Sequence, residues 1–252
     1  MNQFFSFKRF QLLVLKHWAD NKRRYSLTVL AFIGLLTSWF GLTLLMHEDQ
    51  MPMSRDVQLT TFFFLFFVTG TLYASQFFRD LSSRIKGTNF LLIPASSFEK
   101  LLCGILYSAL IFPLVFIAAF YLADSLMVAL ANAIFNFNEK AELINIFTID
   151  FFKFNEDRTM SLFLFFISLQ SLFLFGSVYF RKYNFIKTII SGFVIWMFGM
   201  AVAFMIHTWV QPLDDEPILM TDWVAITVTT VVYLIGPLVW WISYYRLKAK
   251  QV

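Results

Sequence analysis

The residues able to do chemistry in this 252-residue chain are few, and they stand away from its apolar segments. Asp214, Asp215 and Glu216 form the densest acidic group, in HTWVQPLDDEPILMTDW with His207 upstream. Carboxylates with an imidazole can hold a divalent cation. A solvated acidic loop between Pro212 and Pro217 accounts for the same residues without one, so no metal site is assigned. The single cysteine, Cys103, allows no internal disulfide. None of the nine glycines opens a G-x-x-x-x-G-K pattern, so no P-loop is expected and any ATP chemistry belongs to another polypeptide.

Of the chain that holds these residues, 59% is hydrophobic, 20% aromatic and only 14% charged, and its mean hydropathy is +0.68. Soluble domains carry about 25% charged residues. A helical span needs roughly 20 apolar residues, and six windows qualify: 25–46, 58–78, 101–123, 160–180, 188–206 and 223–245. The expected fold class is an all-α membrane protein with six transmembrane helices. The charged residues before the first window and the absence of an A-x-A-like site after it argue for a retained span rather than a signal peptide.

All of the 20 basic residues except Arg55, Lys140, Lys153 and Arg158 flank one side of these windows, and all of the acidic residues except Asp20, Asp80 and Glu99 flank the other. By the positive-inside rule, both termini are cytoplasmic. The net charge of +4 then reflects flanks facing an anionic leaflet rather than a nucleic-acid surface. Residues 1–24 read as a helix in the cytoplasmic interface, with Phe7, Phe10, Val14 and Trp18 on one stripe and Lys8, Gln11 and Lys16 turned away. A plain charged flank is the alternative. Residues 246–252 form a cytoplasmic tail, and the long connection 124–159 is expected to fold into short helices at the outer interface.

No Asp, Glu, Lys, Arg or His falls inside the six windows. Ion-coupled carriers hold such groups at membrane depth, and acid–base enzymes need them within hydrogen-bond reach of one another. Neither class is favoured. Ser168, Gln170 and Ser171 mark the middle of the fourth window; close helix packing is the leading reading of them, and a pathway role is the alternative. Gly34 with Gly41, and Gly192 with Gly199, repeat at seven-residue spacing and read as packing positions. Pro113 and Pro237 should kink or loosen the third and sixth spans.

The most informative stretch is KGTNFLLIPASSFEKLLCGIL, Lys86 to Leu106. The second helix is expected to run into LSSRIK and stop at Gly87, which fits the position after a helix end where φ > 0 is common. TNFLLI would then lie on a surface. Pro94 bars a helix through it and holds Ile93 extended. Ser96 and Glu99 form an S-x-x-E capping box that starts the third span at a fixed point.

This string resembles the segment after the second span of type-2 ABC exporter permeases: a glycine and threonine, apolar residues, a proline, a serine and a glutamate. The six-window layout and the absence of a nucleotide motif agree with that family as architecture. The resemblance implies a permease that pairs with a second permease copy, as homodimer or heterodimer, and with ABC ATPase subunits, in a bacterial cytoplasmic (inner) membrane. It also implies no cofactor and no enzymatic activity in this chain, with ATP and Mg on the partner. By position, Arg84, Lys86, Gly87, Thr88, Phe90 and Leu91 would contact the ATPase or shape the contact. Pro94, Ser96 and Glu99 would pass its motion to the third span. Lys100 stands earlier than the basic residue that family members often carry just after the position of Gly104. A protein of another class, a non-transporting membrane assembly, immunity or sensor protein, would use the same turn to bind a different cytoplasmic partner.

Overall fold

The computed structural model describes residues 4–46, 54–134, 141–144, 158–210 and 220–251, and among them there is helix and no strand. The helices are α1 (Phe7–Met46), α2 (Arg55–Phe77), α3 (Arg84–Leu91), α4 (Ser97–Ile105), α5 (Phe112–Ile134), α6 (Arg158–Tyr179), α7 (Asn184–Val210) and α8 (Met220–Gln251). A 3-10 turn, Arg79–Ser82, joins α2 to α3, and a π-helical segment, Leu106–Ile111, joins α4 to α5.

Three continuous helical stretches, 7–46, 55–77 and 97–134, are long and apolar enough to cross a membrane, and 164–179 and 184–199 are shorter apolar ones. Their outward surface is apolar as well. On α7 the side chains of Ile190, Phe193, Ile195, Trp196 and Phe198 are all exposed. Soluble monomers rarely expose apolar patches beyond a few hundred Å², so the surface fits an integral membrane protein.

With lipid outside, packing rather than water exclusion must hold helices together. One core lies between α1, α2 and α5, where Leu36, Phe40, Phe62, Phe116 and Phe120 are buried together. Phe62 meets Phe120 edge-on at 5.0 Å, and Phe66 stacks on Phe166 of α6 at 4.5 Å. A second core joins Phe78, Leu101, Leu174, Val178 and Leu247. It gathers the ends of α2, α6 and α8 with the start of α4, and the Lys250 ammonium donates to the Val178 carbonyl at 2.6 Å. The basic residues of these termini therefore share one end of the bundle.

The helix expected ahead of the first window and the window itself form one unbroken helix: α1 has 40 residues and is about 60 Å long at 1.5 Å per residue. ADNKRR contains no proline, and Asn21 donates back to the His17 carbonyl at 2.9 Å within the helix. Leu13 is buried with Phe10 and Val14 against Cys103 and Tyr107, whereas Phe7 and Trp18 are exposed.

The outer connection does not begin with a separate short helix at residue 124, because α5 runs on to Ile134. Beyond it, Asn132 holds Ala141 in a two-way clasp, donating to its carbonyl and accepting from its amide at 2.9 Å each. The remainder of that connection, 135–140 and 145–157, lies outside the described residues. So do Asp214, Asp215, Glu216 and both flanking prolines, while for His207 only the backbone, in α7, is described.

Pro113 has the expected loosening effect. It cannot donate to the carbonyl of Ala109, and the turn before it widens into the π segment, with the Phe112 amide reaching back five residues to the Tyr107 carbonyl. Pro237 lies within the continuous α8.

Candidate functional site

The stretch from Arg79 to Lys100 folds as a block rather than as a loop. After the 3-10 turn the chain forms α3, and Gly87 sits inside that helix, not at its end. Its amide donates to the Ser83 carbonyl at 2.7 Å, and no described glycine has a positive φ. What Gly87 supplies is closeness. A Cβ there would stand 3.3 Å from the Leu81 carbonyl oxygen and 3.4 Å from that of Asp80, so α3 lies directly on the turn that precedes it.

The helix stops at Leu91. Pro94 then centres a tight turn in which the Ala95 amide donates to the Ile93 carbonyl at 2.7 Å, a geometry that suits proline's fixed φ. Ser96 caps α4 as expected. Its hydroxyl accepts from the Glu99 amide at 3.1 Å, and the Glu99 carboxylate accepts from the Ser96 amide at 2.8 Å.

Glu99 and Lys100 then bind the block to its surroundings in opposite directions. The second carboxylate oxygen of Glu99 accepts from the Ser6 amide at 2.7 Å and from the Arg9 guanidinium at 2.9 Å, which ties α4 to the start of α1. Burial disfavours the charge on Glu99, but the amides of Ser96 and Ser6 and the Arg9 guanidinium outweigh it, holding the carboxyl below its ordinary range. Lys100, also buried, points the other way. Its ammonium donates to the Leu91 carbonyl at 2.9 Å and lies 5.6 Å from the Phe90 ring centre. It thereby neutralises the carbonyl end of α3. Burial pushes its pKa down to about 8, with the Glu99 charge acting in the opposite sense.

The site residues read from the sequence thus fall into two groups. Gly87, Glu99 and Lys100 are buried, and Phe90 packs inward, edge-on to Phe78 at 5.9 Å. Lys86, Thr88 and Pro94 are exposed, while Leu91 and Ser96 are half-buried. Arg84 opens α3, and its side chain lies outside the described residues. Sequence reasoning missed Ile85 and Leu92, the most exposed large apolar side chains of the block at 77% and 73%. Once residues 84–91 are helical, their seven-residue spacing sets them on one face with Lys86, Thr88 and Asn89 around them. That periodicity was the available signal.

Ser168, Gln170 and Ser171 come together in α6, buried in the bundle. Ser171 donates to the Ser168 carbonyl at 2.7 Å. Among the described residues the Gln170 amide finds no hydrogen-bond partner, and it lies where Gly70 of α2 leaves room: a Cβ on Gly70 would be 2.6 Å from its nitrogen. Replacing Gly70 with valine should cost about 1–3 kcal/mol through overpacking. Gln170→Ala in the same chain should recover much of that loss, and a double-mutant cycle on thermal unfolding measures the coupling.

One buried titratable group was missed. Asp124, a single residue past the third window, lies within α5 with no exposure, and among the described residues neither carboxylate oxygen meets hydrogen-bond geometry. The backbone amide of Ile144 lies on its side as a donor. Among the described residues, no three His, Cys, Asp or Glu side chains gather as a metal site.

Compared with known proteins, the chain matches no family model, no curated protein and no solved structure. Function must therefore be argued from the site itself.

Proposed function

We propose that the chain is the membrane-spanning permease subunit of an ATP-driven exporter, with six spans, both termini cytoplasmic and coupling to a separate ATPase through α3. The observation that carries this reading is mechanical. A short helix presents Ile85, Lys86, Thr88, Asn89 and Leu92 outward, while Lys100 ties its end to α4 and Glu99 ties α4 to α1. A push on the outer face of α3 would reach two long helices without passing through a flexible link. Force arriving there must come from a partner, because the sequence has no P-loop of its own.

The resemblance of Lys86–Leu106 to type-2 ABC exporter permeases supplies the class of partner, an ABC ATPase working on a pair of permease copies in a bacterial cytoplasmic membrane. Full-length protein purified from its native membrane should carry a nucleotide-binding protein with it. Ile85→Asp with Leu92→Asp should weaken that association at least about thirtyfold, the roughly 2 kcal/mol of one hot-spot residue, and leave the melting temperature unchanged because both side chains are exposed. Unaltered association would overturn the docking face. Co-purification of a partner with no nucleotide site would replace the permease reading with that of a membrane assembly or sensor protein.

A further inference from the structure

A cleft of about 1390 Å³ opens between α1, the second half of α2, α3 and the start of α5. It exceeds the roughly 300–1,000 Å³ of ordinary small-molecule sites. From Lys22 onward on α1, and on the stretches that face it, its lining passes from charged or hydrogen-bonding to apolar. On α1, Lys22, Arg23 and Arg24 are followed by Tyr25 and then by Leu30 and Ile33. On α2, read from its end inward, Arg79 of the following turn and Gln76 give way to Tyr73 and Leu72. On the third stretch, Tyr107 precedes Phe112, Val115 and Ala119.

The cleft therefore has three levels. Its rim holds Lys16, Lys22, Arg23, Arg24, Arg79 and Lys86 against only Asp20 and Asp80. Lys16 and Asp20 pair with each other at 3.1 Å, which leaves five cations facing one carboxylate. Below the rim is a hydrogen-bonding girdle: His17 and Tyr25 share a 2.6 Å hydrogen bond, and Tyr73 lies against Tyr25 with ring centres 5.8 Å apart. The floor is apolar. From Arg24 to Ile33 the helix rises about 14 Å, enough to carry a ligand from charged head to hydrocarbon tail.

We propose that this cleft binds an anionic glycerophospholipid, with its phosphate at the Arg24, Arg79 and Lys86 rim, its ester groups at the Tyr25 and Tyr73 girdle and an acyl chain along Ile33, Phe112 and Val115. The charge excess selects an anionic head, and the ordered change from cationic to hydrogen-bonding to apolar lining selects a membrane lipid over a free anion. Basic pockets between spanning helices take such head groups on these physical grounds. The site stands on the membrane character of the chain and does not depend on the permease reading.

The test uses the full-length protein in detergent, supplied with mixed micelles of phosphatidylglycerol or phosphatidylcholine, with native mass spectrometry counting retained lipid. Phosphatidylglycerol should be retained in preference. Arg24→Gln and Lys86→Gln should each lower its retention about fivefold, as one cation near a lipid surface is expected to do. Val115→Trp, at a partly exposed position of the floor, should lower retention of both lipids. Arg181→Gln with Lys182→Gln, outside the cleft, should change nothing. Equal retention of the two lipids, indifference to Val115→Trp, or an equal loss in the Arg181 and Lys182 variant would each overturn the proposal. So would displacement of phosphatidylglycerol by equimolar inorganic phosphate, which would make the ligand a free anion.

Discussion

Glu99→Ala should lower the stability of the protein by about 3 kcal/mol, which combines loss of an N-cap partner, about 1 kcal/mol, with the breaking of a partly buried ion pair. The full buried-pair cost does not apply, because the Arg9 side chain is 36% exposed and water can take over part of its solvation. Glu99 is the only described side chain that bonds α4, the chain before α1 and Arg9 together. Ser96→Ala removes one bond of the same network and should cost only about 1 kcal/mol. The pH dependence follows from the sign of the shift. The folded carboxyl sits below its ordinary value of 4.5, so the stability it contributes is fully present above about pH 4.5 and is lost as pH falls through the lowered folded value. Thermal melts of the wild type between pH 3 and 6 should show that decline, and Glu99→Gln should flatten it. An unchanged acid limb in Glu99→Gln would mean that other carboxylates govern acid unfolding.

Local chemistry was legible where neighbours in sequence were also partners in space. The Ser96 and Glu99 capping box, the stop before Pro94 and the loosening at Pro113 each depend on a few adjacent residues, and each was readable from them. Gly87 shows where such reading fails. Its glycine signal was real, but the cause is the backbone of Leu81 lying across α3, and a contact of that kind has no mark in the six residues around it. Lys100 is similar. It read as a displaced basic flank, whereas its ammonium closes the carbonyl end of α3, which could not be known before α3 was known to be a helix. Gln170 stood out in the fourth window, but its proximity to Gly70 joins positions one hundred residues apart.

Asp124→Val should raise stability by about 1–3 kcal/mol, because it replaces a buried carboxylate that has no well-formed hydrogen bond among the described residues by an apolar group of similar size. The carboxylate lies on α5 beside Phe120, Ala123, Met127 and Val128, all members of the largest apolar core, so valine meets the neighbours it prefers. Asp124→Asn is the control. It removes the charge and keeps polar atoms that still need partners, so it should fall between wild type and valine. Thermal unfolding in one detergent at one pH ranks the three. Destabilisation by valine would show that the carboxylate has a partner in the native membrane that outweighs its burial. The functional consequence runs opposite to the stability gain. Buried groups that weaken a fold are kept where activity requires them, and ionisable groups at membrane depth are the usual carriers of such a requirement. If the permease reading holds and all coupling energy enters through α3, Asp124→Val should transport as well as wild type. Loss of transport in a more stable protein that still binds its ATPase would instead make Asp124 part of the coupling route.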